Sequence, residues 1–169
     1  MAGVQGRIAV VTGAGSADGI GFATARILKA QGARVAITST TARIRDRAAE
    51  LGCVGFVADL TVPDDIARLV AGVGAALGPV DILVNNAGMV QTGRRVKRAR
   101  LSDLPDATWD HGLAINLTQA FRLTRAVLPG MIARGYGRIV MMSSVTGPVA
   151  AIDGSGVYAA AKAGLLGVT

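Results

Sequence analysis

The chain has 169 residues, 51% hydrophobic and 17% charged, which is typical of a globular protein and excludes a disordered one. Basic residues outnumber acidic residues 18 to 11, and the net charge of +7 favours anionic partners: nucleic acid, a phosphorylated cofactor or an acidic carrier. With one histidine and one cysteine, the chain can form neither a His/Cys zinc cluster nor an intrachain disulfide. The length predicts one domain, residues 1–169. The lone Cys53 and the lack of signal-peptide or membrane-span patterns predict a cytoplasmic protein without a membrane partner.

Five short apolar runs have the length and composition of buried β-strands. They span residues 7–11, 34–38, 54–57, 80–84 and 138–142. Segments of helical period lie at residues 20–31, 41–51, 63–77 and 106–133. The third of these helices has the strongest start signal, since Thr61 can cap it and Pro63 suits its first turn. The repeated alternation predicts an α/β fold, a doubly wound parallel sheet of Rossmann type with strand order 3-2-1-4-5.

The first strand runs into a glycine-rich turn, TGAGSADGIG at residues 12–21, directly before a helix. In a doubly wound sheet such a turn lets the backbone approach a pyrophosphate, and the helix N-terminus offers unpaired N–H groups. The spacing departs from GxGxxG because Asp18 stands where the third glycine belongs, and a P-loop lysine does not follow. The position of the turn nevertheless predicts a dinucleotide phosphate site.

The second predicted strand ends in Ser39, Thr40 and Thr41, and the first acidic residue after it is Asp46. A carboxylate at this strand end binds the adenosine ribose in NAD enzymes, and its absence leaves room for a 2′-phosphate. Hydroxyls and Arg43 suit such a phosphate, so the pattern favours NADP(H) over NAD(H). The alternative is an ordinary polar loop that caps the next helix.

Two more strand ends carry polar groups: NNAG at residues 85–88 follows the fourth strand, and Ser143 and Ser144 follow the fifth. Ligands of such sheets bind beyond the carboxyl ends of the strands, so these groups and the glycine-rich turn share one crevice. Tyr158 and Lys162 lie four residues apart in the alanine-rich YAAAK, on one face of a predicted helix. We expect this phenol and ammonium to point into the same crevice.

The segments TG…GIG, NNAG, RIVMMSS and YAAAK, in this order, resemble the short-chain dehydrogenase/reductase family over essentially the whole chain, and most nearly its 3-oxoacyl-(acyl carrier protein) reductase-like members. The resemblance implies a catalytic tetrad of Asn116, Ser144, Tyr158 and Lys162. It implies cofactor-binding roles for Tyr158 and Lys162 and for a further set: Thr12, Gly13, Ser16, Gly19, Ile20, Gly21, Ser39, Asp59, Leu60, Asn86, Ala87 and Gly88. It also implies a homotetramer built on the long helices.

By this resemblance the protein transfers a hydride between NADPH and a small carbonyl or alcohol substrate, with a carrier-bound 3-oxoacyl thioester as one candidate. Tyr158 would donate the proton, while Lys162 would stabilise the phenolate and hold the ribose hydroxyls. Ser144 would bind the substrate oxygen, and Asn116 would hold a water that supplies protons. Two alternatives remain: a nucleotide-binding module without turnover, and a hydrolase using Ser144 with His111, although the sequence contains no GxSxG elbow.

Three features depart from the family pattern: two extra residues in the glycine-rich turn, a long basic loop after NNAG, and the lack of the last strands and the substrate lid. The basic loop contains Arg94, Arg95, Lys97, Arg98 and Arg100. It predicts a solvated surface that meets an acidic carrier, whereas a nucleic-acid partner is not expected because aromatic residues are not interleaved. Residues 164–169 carry no helix-stop signal, so we expect residues 1–169 to be part of a longer polypeptide.

Overall fold

The computed structural model describes residues 3–88 and 99–169. Its strands are β1 (Ile8–Thr12), β2 (Arg34–Ser39), β3 (Val54–Val57), β4 (Ile82–Asn85) and β5 (Arg138–Met141). Its helices are α1 (Ile20–Ala30), α2 (Arg43–Leu51), α3 (Pro63–Ala76), α4 (Asp106–Leu113), α5 (Gln119–Ala133) and α6 (Gly156–Gly167). All five predicted strands are present, each within two residues of its predicted ends.

The five strands form one parallel sheet in the order β3-β2-β1-β4-β5, which confirms the predicted doubly wound α/β fold. The register places Thr12 of β1 beside Thr38 of β2, and Asn85 of β4 beside Met141 of β5. Because the strands are parallel, all of their carboxyl ends meet at one edge of the sheet. The glycine-rich turn, NNAG and the serine pair therefore all leave the sheet at that edge.

Helices cover both faces of the sheet, and the central strand β1 is buried along its whole length. One core cluster, on the side of α3 and α5, includes Val10, Leu69, Val73, Leu83 and Leu123. The other, on the side of α1 and α2, includes Val11, Ala25, Ile37, Ile44 and Val84. This double layer holds the strand ends at fixed positions relative to one another.

The predicted cap of α3 is wrong. The helix begins at Pro63 after Val62, and no side chain caps it. Thr61 instead donates its hydroxyl to Asp59 Oδ1 at 2.7 Å, and the Asp65 carboxylate accepts the Asp59 N–H at 2.8 Å. Thr61 is not the cap because Val62 occupies the N-cap position, which leaves Thr61 one residue outside it.

The long helix predicted across residues 106–133 is also not continuous. A π-helical turn, Ala114–Thr118, separates α4 from α5. Its wider backbone places Asn116 on the inside, where the residue is only 5% exposed. The interruption therefore fixes the position of one of the predicted site residues.

Within the described parts of the chain, no helix is long and apolar enough to cross a bilayer. Most of the basic loop, Arg94, Arg95, Lys97 and Arg98 included, lies outside the described residues. Arg100 is described, and it lies exposed before a 3-10 turn, Leu101–Asp103.

Candidate active site

Thr12 joins the ends of β1 and β4. Its hydroxyl oxygen accepts the backbone N–H groups of Asn86 at 3.0 Å and Ala87 at 2.8 Å. The hydroxyl in turn donates to the Val84 carbonyl at 3.3 Å. The Asn86 side chain donates back to the carbonyls of Thr12, at 2.9 Å, and Gly13, at 3.2 Å. Thr12 and Asn86 thus fix the glycine-rich turn against NNAG, a structural use that the sequence alone did not reveal.

The glycine-rich turn lies too close to its neighbours to accept side chains. Gly13 has a φ of +69°, and a Cβ there would lie 2.8 Å from the Ala87 Cα. A Cβ on Gly21 would lie 2.5 Å from the Asn86 amide nitrogen. The turn therefore presents bare backbone at the sheet edge, despite its two extra residues.

Helix α1 begins at Ile20, directly after this turn. Gly19 precedes it without any side-chain cap, and its first turn has no acidic residue. The first N–H groups and the positive end of the helix dipole are therefore not neutralised by a side chain of the helix start. Ser16 and Ile20 are both exposed beside them. These residues fit the diphosphate of a dinucleotide.

The end of β2 forms a polar loop. The Ser39 hydroxyl donates to the Thr41 carbonyl at 3.1 Å, and Arg43 Nε donates to the Thr41 hydroxyl at 3.4 Å. A Cβ on Gly15 would lie 2.8 Å from the Ser39 Oγ, so the glycine-rich turn passes directly over Ser39. The exposed guanidinium of Arg43 is the only charged group in this loop. Its positive charge suits the loop to a phosphate other than the diphosphate at the glycine-rich turn.

Asp59 and Leu60 follow β3 along the same edge. Asp59 is half-buried, and its Oδ1 accepts the backbone N–H of Thr61 at 2.9 Å. Leu60 is buried in the core cluster below. The structure therefore holds the Asp59 carboxylate in one orientation at the edge beyond β3.

Lys162 is the most unusual of the predicted residues, because its side chain is almost completely buried. It is 4% exposed, and its Nζ donates to the Met142 carbonyl at 2.7 Å. Burial lowers the pKa of the Lys162 ammonium from its ordinary value. The Nζ lies 5.7 Å from the centroid of the Tyr158 ring. The structure thus brings the predicted phenol and ammonium together.

Gly88, Asn116 and Lys162 meet at one point. A Cβ on Gly88 would lie 3.1 Å from Asn116 Oδ1 and 3.3 Å from Lys162 Nζ. The Asn116 amide donates to the Gly112 carbonyl at 3.0 Å, which spans the π-helical turn. Gln119 donates to the Ala87 carbonyl at 3.1 Å and to the Ile115 carbonyl. The π-helical turn thereby connects NNAG with the buried lysine.

Ser144 lies half-buried at the end of β5. Its Oγ accepts the backbone N–H of Thr146 at 3.1 Å, so its hydroxyl proton remains available to a substrate oxygen. Tyr158 is also half-buried, on α6. His111 lies exposed on α4, whereas Ser144 Oγ bonds the backbone of Thr146. The hydrolase alternative therefore has no support from this geometry.

Two residues that shape the site, Ser143 and Gln119, have no assigned role in the sequence analysis. The Ser143 hydroxyl donates to the Lys162 carbonyl at 2.8 Å, a contact between separate elements that the sequence does not signal. Gln119 follows the π-helical turn, which also leaves no signal because AINLT has the same helical period as its flanks. Thr12 is among the predicted cofactor-binding residues, and the structure adds its bonds to NNAG.

Comparisons with known proteins agree with this geometry. Residues 7–169 match the family model described as short chain dehydrogenase. Nodulation protein G of Rhizobium sp. (strain N33) is 43% identical over 167 residues, covering 97% of this chain and 64% of that protein. The 3-oxoacyl-(acyl-carrier-protein) reductase FabG of Escherichia coli (strain K12) is 38% identical over 167 residues, covering 96% of this chain and 64% of that protein.

Among solved structures, a metagenomic short-chain oxidoreductase in complex with NADP matches with a TM-score of 0.85 and 37% sequence identity. That match covers 98% of this chain and 74% of the other. The chain spans about 64% of the length of the curated relatives it matches. Sequence and fold agree, and the chain belongs to the short chain dehydrogenase family.

Proposed function

We propose that this protein is an oxidoreductase that uses NADP(H) to reduce a carbonyl to an alcohol, and that residues 1–169 form its single nucleotide-binding domain. The observation that carries the proposal is the buried Lys162, whose Nζ lies 5.7 Å from the Tyr158 ring centroid at the edge where the glycine-rich turn ends. A charged side chain with so little exposure is costly for stability. A buried ammonium beside a phenol is typical of a catalytic site, where the lysine can stabilise the charged form of the phenol.

The chain's own residues suit a dinucleotide along the whole sheet edge. The bare backbone of Gly13 and the N-terminus of α1 would hold the diphosphate, with Ser16, Gly19, Ile20 and Gly21 beside it. Asp59 and Leu60 would contact the adenine, next to the wall formed by Asn86, Ala87 and Gly88. When bound, reduced nicotinamide supplies the hydride that adds to the carbonyl carbon.

Tyr158 would complete the reduction at the carbonyl oxygen. As hydride adds to carbon, the electron pair of the carbonyl π bond moves to oxygen, which takes the Tyr158 hydroxyl proton. Ser144 would donate a hydrogen bond to the same oxygen while negative charge develops there. The product is an alcohol, and the phenolate left behind must regain a proton before the next turnover.

Lys162 would assist in two ways. Its ammonium, 5.7 Å from the ring centroid, stabilises the phenolate form of Tyr158, and the burial of Lys162 strengthens this interaction over that of an exposed pair. Its lowered pKa also makes proton exchange with water easier, so it can pass a proton back to the phenolate. Asn116, which borders the same point at Gly88, would position the water that feeds this exchange.

The preference for NADP(H) over NAD(H) is proposed from the loop after β2. Its Ser39 and Thr41 are hydroxyl residues, and Arg43 provides the positive charge. A 2′-phosphate would find charge-assisted donors here, whereas the 2′-hydroxyl of NAD would find no carboxylate in the loop. The NADP complex of the related metagenomic oxidoreductase is consistent with this choice.

For the substrate we propose a 3-oxoacyl thioester. The 38% identity to a 3-oxoacyl-(acyl-carrier-protein) reductase supports the class. Large apolar side chains near Ser144 are exposed and suit an acyl chain: Val145, Val149 and Ile152 follow it, and Leu101 lies 3.4 Å from the position of a Gly156 Cβ. The basic loop that includes Arg100 suits the acidic surface of a carrier protein.

We further propose a homotetramer in the cytoplasm. One face of α5 exposes Phe121, Leu128 and Ile132, spaced by seven and four residues, and Leu166 is exposed on α6. Apolar faces of this kind are typical of subunit interfaces. The cytoplasm is supported by the single cysteine, Cys53, because a chain without an intrachain disulfide is typical of a reducing compartment.

The test is a screen of NADPH and NADH oxidation by this chain with a panel of ketones and acyl thioesters. Turnover of an acetoacetyl thioester with NADPH supports the proposed substrate class. Turnover of simple ketones alone would support the proposed carbonyl reduction and exclude the thioester as the substrate class. Nucleotide binding without turnover of any carbonyl would contradict the proposal and favour a binding module.

A further inference from the structure

Ser143 and Ser144 are consecutive at the end of β5, but their hydroxyls have different partners. Ser144 Oγ accepts an N–H from its own loop, that of Thr146 at 3.1 Å. Ser143 Oγ donates to the backbone carbonyl of Lys162, nineteen residues later, at 2.8 Å. Only the first of the two serines therefore connects β5 with α6.

The Ser143 bond is one of two that join β5 to the same residue. Lys162 donates its Nζ to the Met142 carbonyl at 2.7 Å, while its own carbonyl accepts the Ser143 hydroxyl. The two bonds hold the backbone and the side-chain end of Lys162 against Met142 and Ser143, the two residues that directly follow β5. A rotation or sliding of α6 would break both.

On its other side, α6 packs very closely against α4 and the π-helical turn. A Cβ on Gly112 of α4 would lie 2.5 Å from Val157 Cγ2, and a Cβ on Gly164 would lie 2.9 Å from Leu117 Cδ2. Helix α6 is therefore confined between these elements and the end of β5. On the β5 side, the Ser143 hydroxyl bonds the backbone of α6, whereas the Met142 carbonyl bonds only the end of the Lys162 side chain.

We propose that Ser143 is a positioning residue that fixes the height of α6 and so places the Lys162 ammonium at the Met142 carbonyl, beside Tyr158 and Gly88. The expected effect of Ser143 on turnover rests on the proposed function. The placement of Lys162 itself can be measured without cofactor or substrate. Among the described residues, the Met142 carbonyl accepts a hydrogen bond from the ammonium, the Tyr158 ring centroid lies 5.7 Å from it, and the Asn116 amide oxygen borders the same Gly88.

The chain contains only three lysines, Lys29, Lys97 and Lys162, so lysine labelled with ¹³C at the ε position gives three assignable NMR signals. Titrating these signals in the cofactor-free protein reports the pKa of Lys162 directly. Ser143→Ala removes the hydroxyl, Ser143→Thr retains it, and Ser143→Cys keeps the volume with a weaker donor. Ser155→Ala is the matched control, because Ser155 precedes α6 without making a side-chain cap bond.

In the parent chain, the Lys162 signal should titrate below the ordinary value for lysine, because burial lowers the pKa of this ammonium. In Ser143→Ala it should move up toward the ordinary lysine value by about half a pKa unit or more, because the released ammonium gains solvent. Ser143→Thr and Ser155→Ala should match the parent, and Ser143→Cys should lie between. If Ser143→Ala does not fold, the shift in Ser143→Cys decides the test. A Lys162 titration unchanged from the parent in folded Ser143→Ala, or in folded Ser143→Cys if the alanine variant does not fold, would overturn the proposal.

Turnover gives the second measurement. Ser143→Ala should lower kcat about tenfold and displace its pH profile, with the substrate KM changed less than about twofold. A purely structural role would reduce the folded fraction and leave the pH profile in place, which would also overturn the proposal. If the parent chain reduces no carbonyl, the proposed function fails, while the NMR result still decides whether Ser143 positions Lys162.

Discussion

Thr12 and Thr38 provide a matched pair for testing how hydrogen bonds stabilise the sheet edge. They are direct neighbours in register on β1 and β2, and each is 1% exposed. The Thr12 hydroxyl makes three hydrogen bonds. The Thr38 hydroxyl has no partner among residues 3–88 and 99–169. Replacing each by valine, which has nearly the same shape, therefore changes stability in opposite directions.

The magnitudes follow from which groups lose their partners. In Thr12→Val, the Ala87 N–H loses its acceptor, whereas the Asn86 N–H keeps the Val84 carbonyl at 3.0 Å. One orphaned backbone donor plus the lost bond to Val84 costs about 2 kcal/mol. In Thr38→Val, a buried hydroxyl without a partner is replaced by a methyl group, which stabilises by about 1 kcal/mol.

Urea unfolding followed by circular dichroism measures both free energies of unfolding. The expected difference between the two variants is about 3 kcal/mol, with Thr12→Val below the parent and Thr38→Val above it. The reasoning would be refuted if both variants were destabilised equally, because burial and shape are matched and only the hydrogen bonds differ. NADPH affinity should also fall in Thr12→Val, since NNAG and the glycine-rich turn separate.

Three further predictions concern the site and the surface. Arg43→Ala should weaken NADPH binding about tenfold and leave NADH binding unchanged by calorimetry; an equal loss for both would exclude a phosphate contact. Lys162→Met should abolish turnover yet raise the unfolding free energy by about 1 kcal/mol at pH 7. Burial lowers the pKa of Lys162 in the folded state, so the buried ammonium lowers the free energy of unfolding of the parent at every pH below that pKa. As the pH rises past the folded pKa, the parent loses this charge, and the stability advantage of Lys162→Met should shrink. An advantage independent of pH would contradict this prediction. Ile132→Glu on α5 should reduce the particle mass in sedimentation; an unchanged mass would place the interface elsewhere.

The sequence predicted the fold well because the signals were local. Buried parallel strands read as continuous apolar runs, and β3 was predicted at its exact bounds, Val54–Val57. The errors arose where the position of a helix boundary decided the outcome. Thr61 has the right residue type for a cap, but the N-cap position belongs to Val62, and the Thr61 hydroxyl donates to Asp59 outside the helix.

The candidate site could be outlined from sequence but not its internal contacts. Strand ends and the YAAAK spacing predicted that Tyr158 and Lys162 share a crevice, because parallel strands end at one edge. The bond from Ser143 to Lys162 joins residues on different elements, and only folding brings them together. The π-helical turn around Asn116 was equally invisible, since a backbone that widens by one residue leaves the apolar period almost unchanged.

The most direct test of the account is the role of Tyr158 as the proton donor. Initial rates of carbonyl reduction at saturating NADPH should fall by about a thousandfold in Tyr158→Phe, because the ring still packs but has no proton to give. NADPH affinity, measured by calorimetry on the same samples, should stay within about twofold of the parent. A variant that kept more than about a tenth of the parent rate would contradict the assignment of Tyr158 as the acid, and with it the mechanism proposed for this site.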